Sequence, residues 1–436
     1  MKEQNKNRIV KNAAWIIGVQ IVKALLGIVI SMLTARYLGP ANFGLINYAA
    51  SIVAFVSPIM FLGLNNILVQ ELCNNPNNEG EILGTSICLS FISSLLCIAG
   101  VVSFVSIANS NEKETLLVCF LYSLLLVFQS FDLIQYWFQA KLMSKYSSIV
   151  SLIAYGIISL YKAFLLVSGK TVFWFAVSNA LDYFIISGLL LLIYKRVGNQ
   201  KLRFVLSTGK RLLSKSKYFI VSNLMIVVFA ETDKVMLKLM VGNASTGYYS
   251  AAIVCAQLVS FVFTAIIDSF RPVAFEEKEK SIEAFEKCVI SLYSIIIYCA
   301  LFYSLCMTIF SPITIRTLYG NEYEPAIVVL KVIVWYCCAS YLGGARDIWI
   351  LAENKQKHLL VINSVGAFLN VLLNLILIPR IQAVGAAIAS VVTQFAINII
   401  FVSIYSPTRR NGFLMLQALK PNTFFSTIHN LIPTRY

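Results

Sequence analysis

The chain has 436 residues, 58% of them hydrophobic and 13% charged, with a mean hydropathy of +0.78. A water-soluble domain carries about 25% charged residues, so the deficit marks a chain whose solvent is lipid. The formal net charge of +15 does not indicate nucleic-acid binding, because the bases sit in gaps between apolar runs and form no single patch. Ten cysteines lie mostly inside those runs, without a C-x-x-C, and the two histidines are His358 and His429. Neither a metal site nor a disulfide framework is expected, nor any cofactor.

In chain order, a basic N-terminus precedes an apolar run too long for a signal peptide and followed by more spans, so it reads as a retained first helix. A bilayer core needs about 20 apolar residues per helix. Twelve such stretches are expected: 13–35, 44–67, 82–107, 115–138, 146–167, 172–194, 217–241, 248–271, 286–310, 325–351, 358–379 and 382–405. The patches Phe413–Leu419 and Phe424–Ile432 are too short to span and read as lying on the membrane surface. The fold class expected is an all-α integral membrane protein with twelve transmembrane helices in two parallel six-helix lobes around a central cavity.

Loop charge sets the orientation. With the N-terminus cytoplasmic, inner segments collect 24 Lys and Arg, and outer segments five: Arg36, Lys113, Lys170, Arg316 and Arg380. One inner loop departs from the pattern, since 68–81 holds Glu71, Glu79 and Glu81 and no base. Both termini are expected to be cytoplasmic. The segment 195–217 carries eight bases and bisects the spans. The expected division is therefore a lobe over 1–194, a basic linker over 195–216, a second lobe over 217–405 and a tail over 406–436.

A repeat supports two lobes. Ala-Arg-Tyr-Leu-Gly-Pro-Ala-Asn-Phe-Gly (35–44), followed by Tyr48-Ala49-Ala50, has a weaker copy in 238–252, with Gly39 aligned to Gly242 and Gly44 to Gly247. Both copies fall on the outer side, and an even number of spans per lobe makes the repeat parallel. These glycines are expected to permit tight reversals, with Arg36 anchoring to headgroups. No loop is long enough for a nucleotide-binding domain.

Ionisable residues at membrane depth cost about 2.5–3.5 kcal/mol each on insertion scales, so they face an interior or a wet cavity. The first lobe holds Lys23, Asp132, Lys162 and Asp182; the second holds Glu231, Asp233, Lys234, Lys238, Asp268, Lys331, Arg346 and Asp347. Lys162 and Lys331 lie near outer ends, where lysine snorkels. Lys23, Asp182, Glu231 and Lys234 lie near mid-bilayer. At 100° per residue, Glu231, Lys234 and Lys238 share one face of the seventh span within about 60°. The i,i+3 spacing lets Glu231 and Lys234 pair, while Asp233 points elsewhere. The run Asp132–Gln139 ends in aromatics and reads first as an interface belt. Among these residues no catalytic constellation forms.

Four stretches resemble the O-antigen flippase (polysaccharide transport) family, in the superfamily that also holds the multidrug and toxin extrusion pumps. They are 35–44, Phe-Asp-Leu-Ile-Gln-Tyr-Trp-Phe-Gln-Ala (131–140), Thr-Asp-Lys-Val-Met-Leu (232–237) with Gly-Tyr-Tyr-Ser-Ala-Ala (247–252), and Asn-Leu-Ile-Leu-Ile-Pro-Arg-Ile-Gln-Ala-Val-Gly-Ala-Ala-Ile-Ala (374–389). The resemblance implies a non-enzymatic flippase of the bacterial inner membrane that moves an undecaprenyl-pyrophosphate-linked oligosaccharide to the outer leaflet by alternating access. It implies a cationic cavity, here matched to Lys23, Lys234, Lys238, Arg271, Lys331 and Arg346. Asp132, Asp182, Glu231, Asp233 and Asp268 are the candidates for ion coupling. Membrane lipid, a polysaccharide polymerase and a chain-length regulator are the implied partners. Two rivals remain: a drug or small-cation exporter of the same superfamily, which would favour unpaired acids, and a membrane-embedded polymerase, which would need a large outer loop or catalytic acids near one surface.

Overall fold

The computed structural model describes residues 2–425, and side chains from Gly18 onward except Ile21. The N-terminal bases Lys2, Lys6, Arg8 and Lys11 therefore lie outside the described side chains. Also outside are Phe424–Ile432 from residue 426 on, His429 and Arg435. Among the described residues every regular element is helical. The chain divides into two compact units, Met1–Leu239 and Met240–Tyr436.

The first unit contains α1 (Lys2–Met60), α2 (Leu64–Asn74), α3 (Glu79–Ala108), α4 (Lys113–Ser123), α5 (Leu125–Gln129), α6 (Ile134–Ala140), α7 (Ser144–Val167), α8 (Val172–Val197) and α9 (Leu206–Met240). The second contains α10 (Asn243–Ala256), α11 (Ser260–Lys280), α12 (Ile282–Leu318), α13 (Ala326–Ile333), α14 (Tyr336–Ala352) and α15 (Lys357–Phe395). A π-helical turn over Ala396–Phe401, α16 (Val402–Ile404) and α17 (Arg409–Ala418) complete it.

Among the described residues eight helical segments are long and apolar enough to cross a membrane, or nine with α10 and α11, which meet at a 46° bend, taken as one span. Two of the eight each hold two expected spans. Gly18–Asn74 contains the first pair and Lys357–Ile404 the last, and each is broken between them. A straight helix the length of α1 would run about 90 Å at 1.5 Å per residue, some three times the hydrocarbon thickness. Gly39 interrupts it at φ 70°, ψ 170°, a conformation essentially closed to residues with a Cβ. Its aligned partner Gly242 precedes α10 at φ 124°, ψ −176°. The two repeat copies thus share one backbone break. In α15 the break falls at Ile381 and Gln382. The seventh expected span, α9, is a continuous helix of 35 residues, but it is not among the segments apolar enough to cross a membrane by the same criterion.

The contact division falls at Leu239 rather than at the expected linker 195–216. The cause is α9, whose side chains bond to first-unit helices along its whole length. Lys215 pairs with Glu71 at 2.5 Å, and Asn223 donates to Asn66 at 2.9 Å. Further along, Glu231 accepts from Ser51 at 2.6 Å and Lys238 pairs with Glu112 at 2.6 Å. Leu212 is fully buried in a core with Leu64, Leu68, Trp137, Phe138 and Tyr194, and Val235 packs on the core around Tyr48, Val101, Cys119 and Phe175.

The acidic loop 68–81 finds its explanation at this end of the unit. Glu71 is buried against Lys215 and Arg211, Glu79 takes Lys141 and the Trp137 indole N–H, and Glu81 accepts from Thr208. Glu71 and Glu79 thus neutralise bases of neighbouring segments, while Glu81 is held by a hydroxyl. The segment after α8 is strapped to α3. Gly80 N donates to Gln200 Oε1 at 2.9 Å, Arg203 N to Gly80 O at 3.1 Å, and Val205 N to Thr85 Oγ1 at 3.0 Å. Trp137 is 4% exposed and packs edge-on against Tyr194 and Phe138. That places this aromatic inside the unit and corrects the expected interface belt.

In the second unit α17 folds back on α12. Asn411 donates to Tyr293 at 2.6 Å and Arg410 holds Glu286, while Leu414, Met415 and Ala418 are buried. Phe413, Leu416 and Leu419 remain exposed. The patch expected to lie on the membrane surface is therefore one face of a docked amphipathic helix.

Candidate functional site

Two groups of ionisable side chains lie within the helices of the first unit. In the first, Lys23 on α1 donates to Ser151 Oγ of α7 at 2.6 Å and lies 5.4 Å from the Tyr155 ring centre. Asp132 accepts from Gln135 at 2.6 Å. Lys23 and Asp182 are near enough to Asp132 to act on its charge, and Lys23 and Lys162 act likewise on Asp182. One Asp182 carboxyl oxygen is buried without a hydrogen-bond partner among the described residues. A polar cavity of about 190 Å³ opens beside this group, lined by Gln135, Gln139, Ser147 and Ser151 among others. Three expected residues, Lys23, Asp132 and Asp182, thus come together across α1, α8 and the turn before α6.

The second group is on α9. Lys234 pairs with Glu231 at 2.6 Å, the i,i+3 contact that the spacing suggests, and the same Glu231 oxygen accepts from Ser51 of α1. Both charged side chains are about one-fifth exposed. Asp233 is buried on a different face.

Lys238 is nearly buried and stands apart from Lys234 in its bonding. Its ammonium meets Glu112, in the turn between α3 and α4, and Thr115 donates to the same carboxylate oxygen at 2.6 Å. Burial alone raises the Glu112 carboxyl, but hydrogen bonds from Lys238 and Thr115, the Lys238 charge and Asn109 outweigh it and hold the pKa below the ordinary value. A carboxyl with a depressed folded-state pKa stabilises the fold above its unfolded pKa, and that contribution disappears as pH falls through the folded pKa. Melting of the detergent-purified protein is accordingly expected to lose stability on acidification below the ordinary carboxylate range. Glu112→Gln should remove that part of the pH dependence. An unchanged profile in the variant would show that Glu112 does not contribute.

The expected residues of the second unit are dispersed. Arg271 pairs with Asp268 at 3.3 Å on α11, both about half exposed, a geometry that contributes little to stability. Lys331 is exposed at the end of α13. Arg346 is 4% exposed and its guanidinium is occupied. It donates to Asp347 at 2.8 Å and to Asn398 Oδ1 at 2.7 Å, while Asn398 donates to Gln394 at 2.5 Å. Asn398 lies in the π-helical turn, the local form that lets this residue reach across to α14.

Sequence reasoning missed Ser51, Ser151, Gln135, Glu112, Gln394 and Asn398. The first three and the last two are uncharged residues in apolar helices, and nothing in a single sequence separates them from ordinary helix-interior polar residues. Glu112 stands in a turn, and its partner lies 126 positions away.

The sequence model described as "Polysaccharide biosynthesis protein" matches residues 9–276. A capsular polysaccharide biosynthesis protein, CapF of Staphylococcus aureus, is 22% identical over 409 residues, covering 91% of this chain and 99% of the relative. An inward-facing multidrug resistance MATE family transporter of the MOP superfamily is structurally similar with a TM-score of 0.66 at 12% identity, covering 91% of this chain and 96% of that one. The lipid II flippase MurJ in an inward closed conformation is similar with a TM-score of 0.65 at 14% identity, covering 96% and 93%. At these identities the two likenesses concern the fold alone, a multi-pass helical membrane fold that those two proteins share.

Proposed function

The chain belongs to the polysaccharide biosynthesis protein family, and from that premise we propose that it is a flippase. Its substrate is a polyprenyl-pyrophosphate-linked oligosaccharide, an O-antigen-like or capsular repeat unit, carried from the inner to the outer leaflet of the bacterial inner membrane. Both termini are cytoplasmic in this reading. The observation that carries it is the pair of partly buried cations Lys23 and Lys234, one held by a hydroxyl and the other by a single carboxylate. A pyrophosphate diester bears about two negative charges and cannot enter hydrocarbon unaided. Lysines whose present partners are exchangeable can take it up and release it, since charge-assisted hydrogen bonds to phosphate replace those lost. The structural likeness to a lipid II flippase supports a lipid-linked substrate, and the capsular relative supports a surface glycan. The polyprenyl tail stays in lipid while the sugar crosses within the protein, and a polymerase and chain-length regulator act downstream.

Transport is coupled to an ion through the acids beside these bases. Asp132 and Asp182 are the first choice, because the unpartnered Asp182 oxygen is ready to receive a proton or a cation. Glu231, Asp233 and Asp268 are the further candidates. The test is flipping of a fluorescent polyprenyl-pyrophosphate-linked saccharide in reconstituted vesicles. An imposed proton or sodium gradient is expected to accelerate wild-type flipping, and Asp182→Asn to abolish the acceleration. Flipping unchanged after both gradients are collapsed would sink the coupling. Export of an organic cation without glycolipid flipping would favour the drug-exporter rival.

A further inference from the structure

At the end of the first unit where α8 stops, the chain turns at Gly198 and runs along α3 before α9 begins. This turn encloses a cavity of about 540 Å³ lined by Leu191, Tyr194, Lys195, Asn199, Lys201 and Leu202, among others. The walls are fixed. Tyr194 OH donates to Gln200 O at 3.0 Å, Gln200 Nε2 donates to Pro76 O at 3.0 Å, and Gln200 Oε1 accepts from Gly80 N. The Gln200 side chain is thereby used in holding the loop, leaving Lys195, Lys201 and Asn199 as the exposed polar side chains of the cavity.

Charge at this end is unbalanced in one place. The three acids of the segment to which the strap is bonded, Glu71, Glu79 and Glu81, are occupied by Lys215 with Arg211, by Lys141 and by Thr208. Lys195, Arg196, Lys201 and Arg203 have no carboxylate within 4.0 Å among the described residues. Around them the surface is apolar: Leu192, Val197, Phe204 and Leu206 are all exposed. Exposed apolar side chains next to uncompensated bases, at the end of a spanning helix, are the environment of a bilayer interface, where basic pockets receive lipid headgroups.

We propose that this cavity is a binding site for the headgroup of an anionic glycerophospholipid. The phosphodiester sits between Lys195 and Lys201, Asn199 donates to a headgroup oxygen, and the acyl chains lie against Leu192 and Val197. The ligand is a resident membrane lipid and not the transported glycolipid, because the cations of the transport reading, Lys23 and Lys234, lie elsewhere in the unit with partners of their own. The site stands whether or not the flipping reading does.

The probe is a photoreactive phosphatidylglycerol with the reactive group near the phosphate, added to the full-length protein in phosphatidylcholine vesicles. Peptide mapping is expected to find the label concentrated in 191–202, competed by unlabelled phosphatidylglycerol and not by added phosphatidylcholine. Lys195→Gln with Lys201→Gln should lower labelling by about thirtyfold, given the usual attraction of each base to an anionic surface. Lys217→Gln, on α9 and outside the cavity, should leave it unchanged. Equal competition by phosphatidylcholine, or competition by a polyprenyl pyrophosphate and not by phosphatidylglycerol, would overturn the proposal. The competition is read in the wild-type protein, so the result does not depend on the folding of a variant.

Discussion

Lys234→Glu is expected to stop glycolipid flipping in reconstituted vesicles while leaving the protein in the membrane. The substitution replaces the cation that Glu231 now holds at 2.6 Å with a second carboxylate at i,i+3 on the same face of α9. A charge-assisted hydrogen bond contributes about 1.5–3 kcal/mol, and about 1.4 kcal/mol is a factor of ten. Losing the attraction and adding repulsion toward a pyrophosphate should therefore reduce the flipping rate by at least roughly a hundredfold. Glu231→Gln gives the complementary outcome. It releases Lys234 from its carboxylate while Ser51 keeps a polar neighbour, and half-saturation should shift to lower glycolipid concentration. The same pair of variants separates the rivals, because an exporter of organic cations should tolerate Lys234→Glu or gain from it. Full glycolipid flipping by Lys234→Glu would remove α9 from the transport path.

Gly84→Val is expected to detach the segment 200–205 from α3. A Cβ at Gly84 would lie 2.5 Å from Arg203 N and 2.7 Å from Arg203 O, distances that backbone cannot accommodate without moving. The contacts at stake are Gly80 with Gln200, Arg203 with Gly80, and Thr85 with both Arg203 and Val205. At about 1 kcal/mol per hydrogen bond, their loss shifts the docking equilibrium by several hundredfold. Trypsin should then cut after Lys201 and Arg203 far faster in the variant than in the wild type. Thr85→Val, which removes two of these hydrogen bonds and no space, should give an intermediate rate. If cleavage is equally slow in all three proteins, the strap is held by something other than its contacts with α3.

Much of the fold was legible because its signals are local. Apolar runs of span length predict helices whatever surrounds them, and Gly39 and Gly242 mark breaks because their backbone angles are open to glycine alone. The Glu231–Lys234 pair was legible for the same reason, being one turn of one helix. The grouping of α9 with the first unit was not recoverable from the sequence. Spacing along the chain suggested a linker and a fresh start. The side-chain bonds of Lys215, Asn223, Glu231 and Lys238 instead tie the helix to first-unit partners between 126 and 180 positions away.

The sequence by itself determined that this is a helical membrane protein, where two of its helices break and which ionisable residues fall within apolar runs. These depend on composition, on 3.6-residue periodicity and on single glycines. The tertiary structure decided what each charge does. It paired Lys238 with Glu112, enclosed Arg346 between Asp347 and Asn398, gave Lys23 a serine hydroxyl and kept Lys234 on Glu231. It also set Glu71 and Glu79 of the acidic loop 68–81 into ion pairs. The physical reason is that a charge's partner is chosen by distance in space, and inside a bundle that distance is fixed by how distant helices pack.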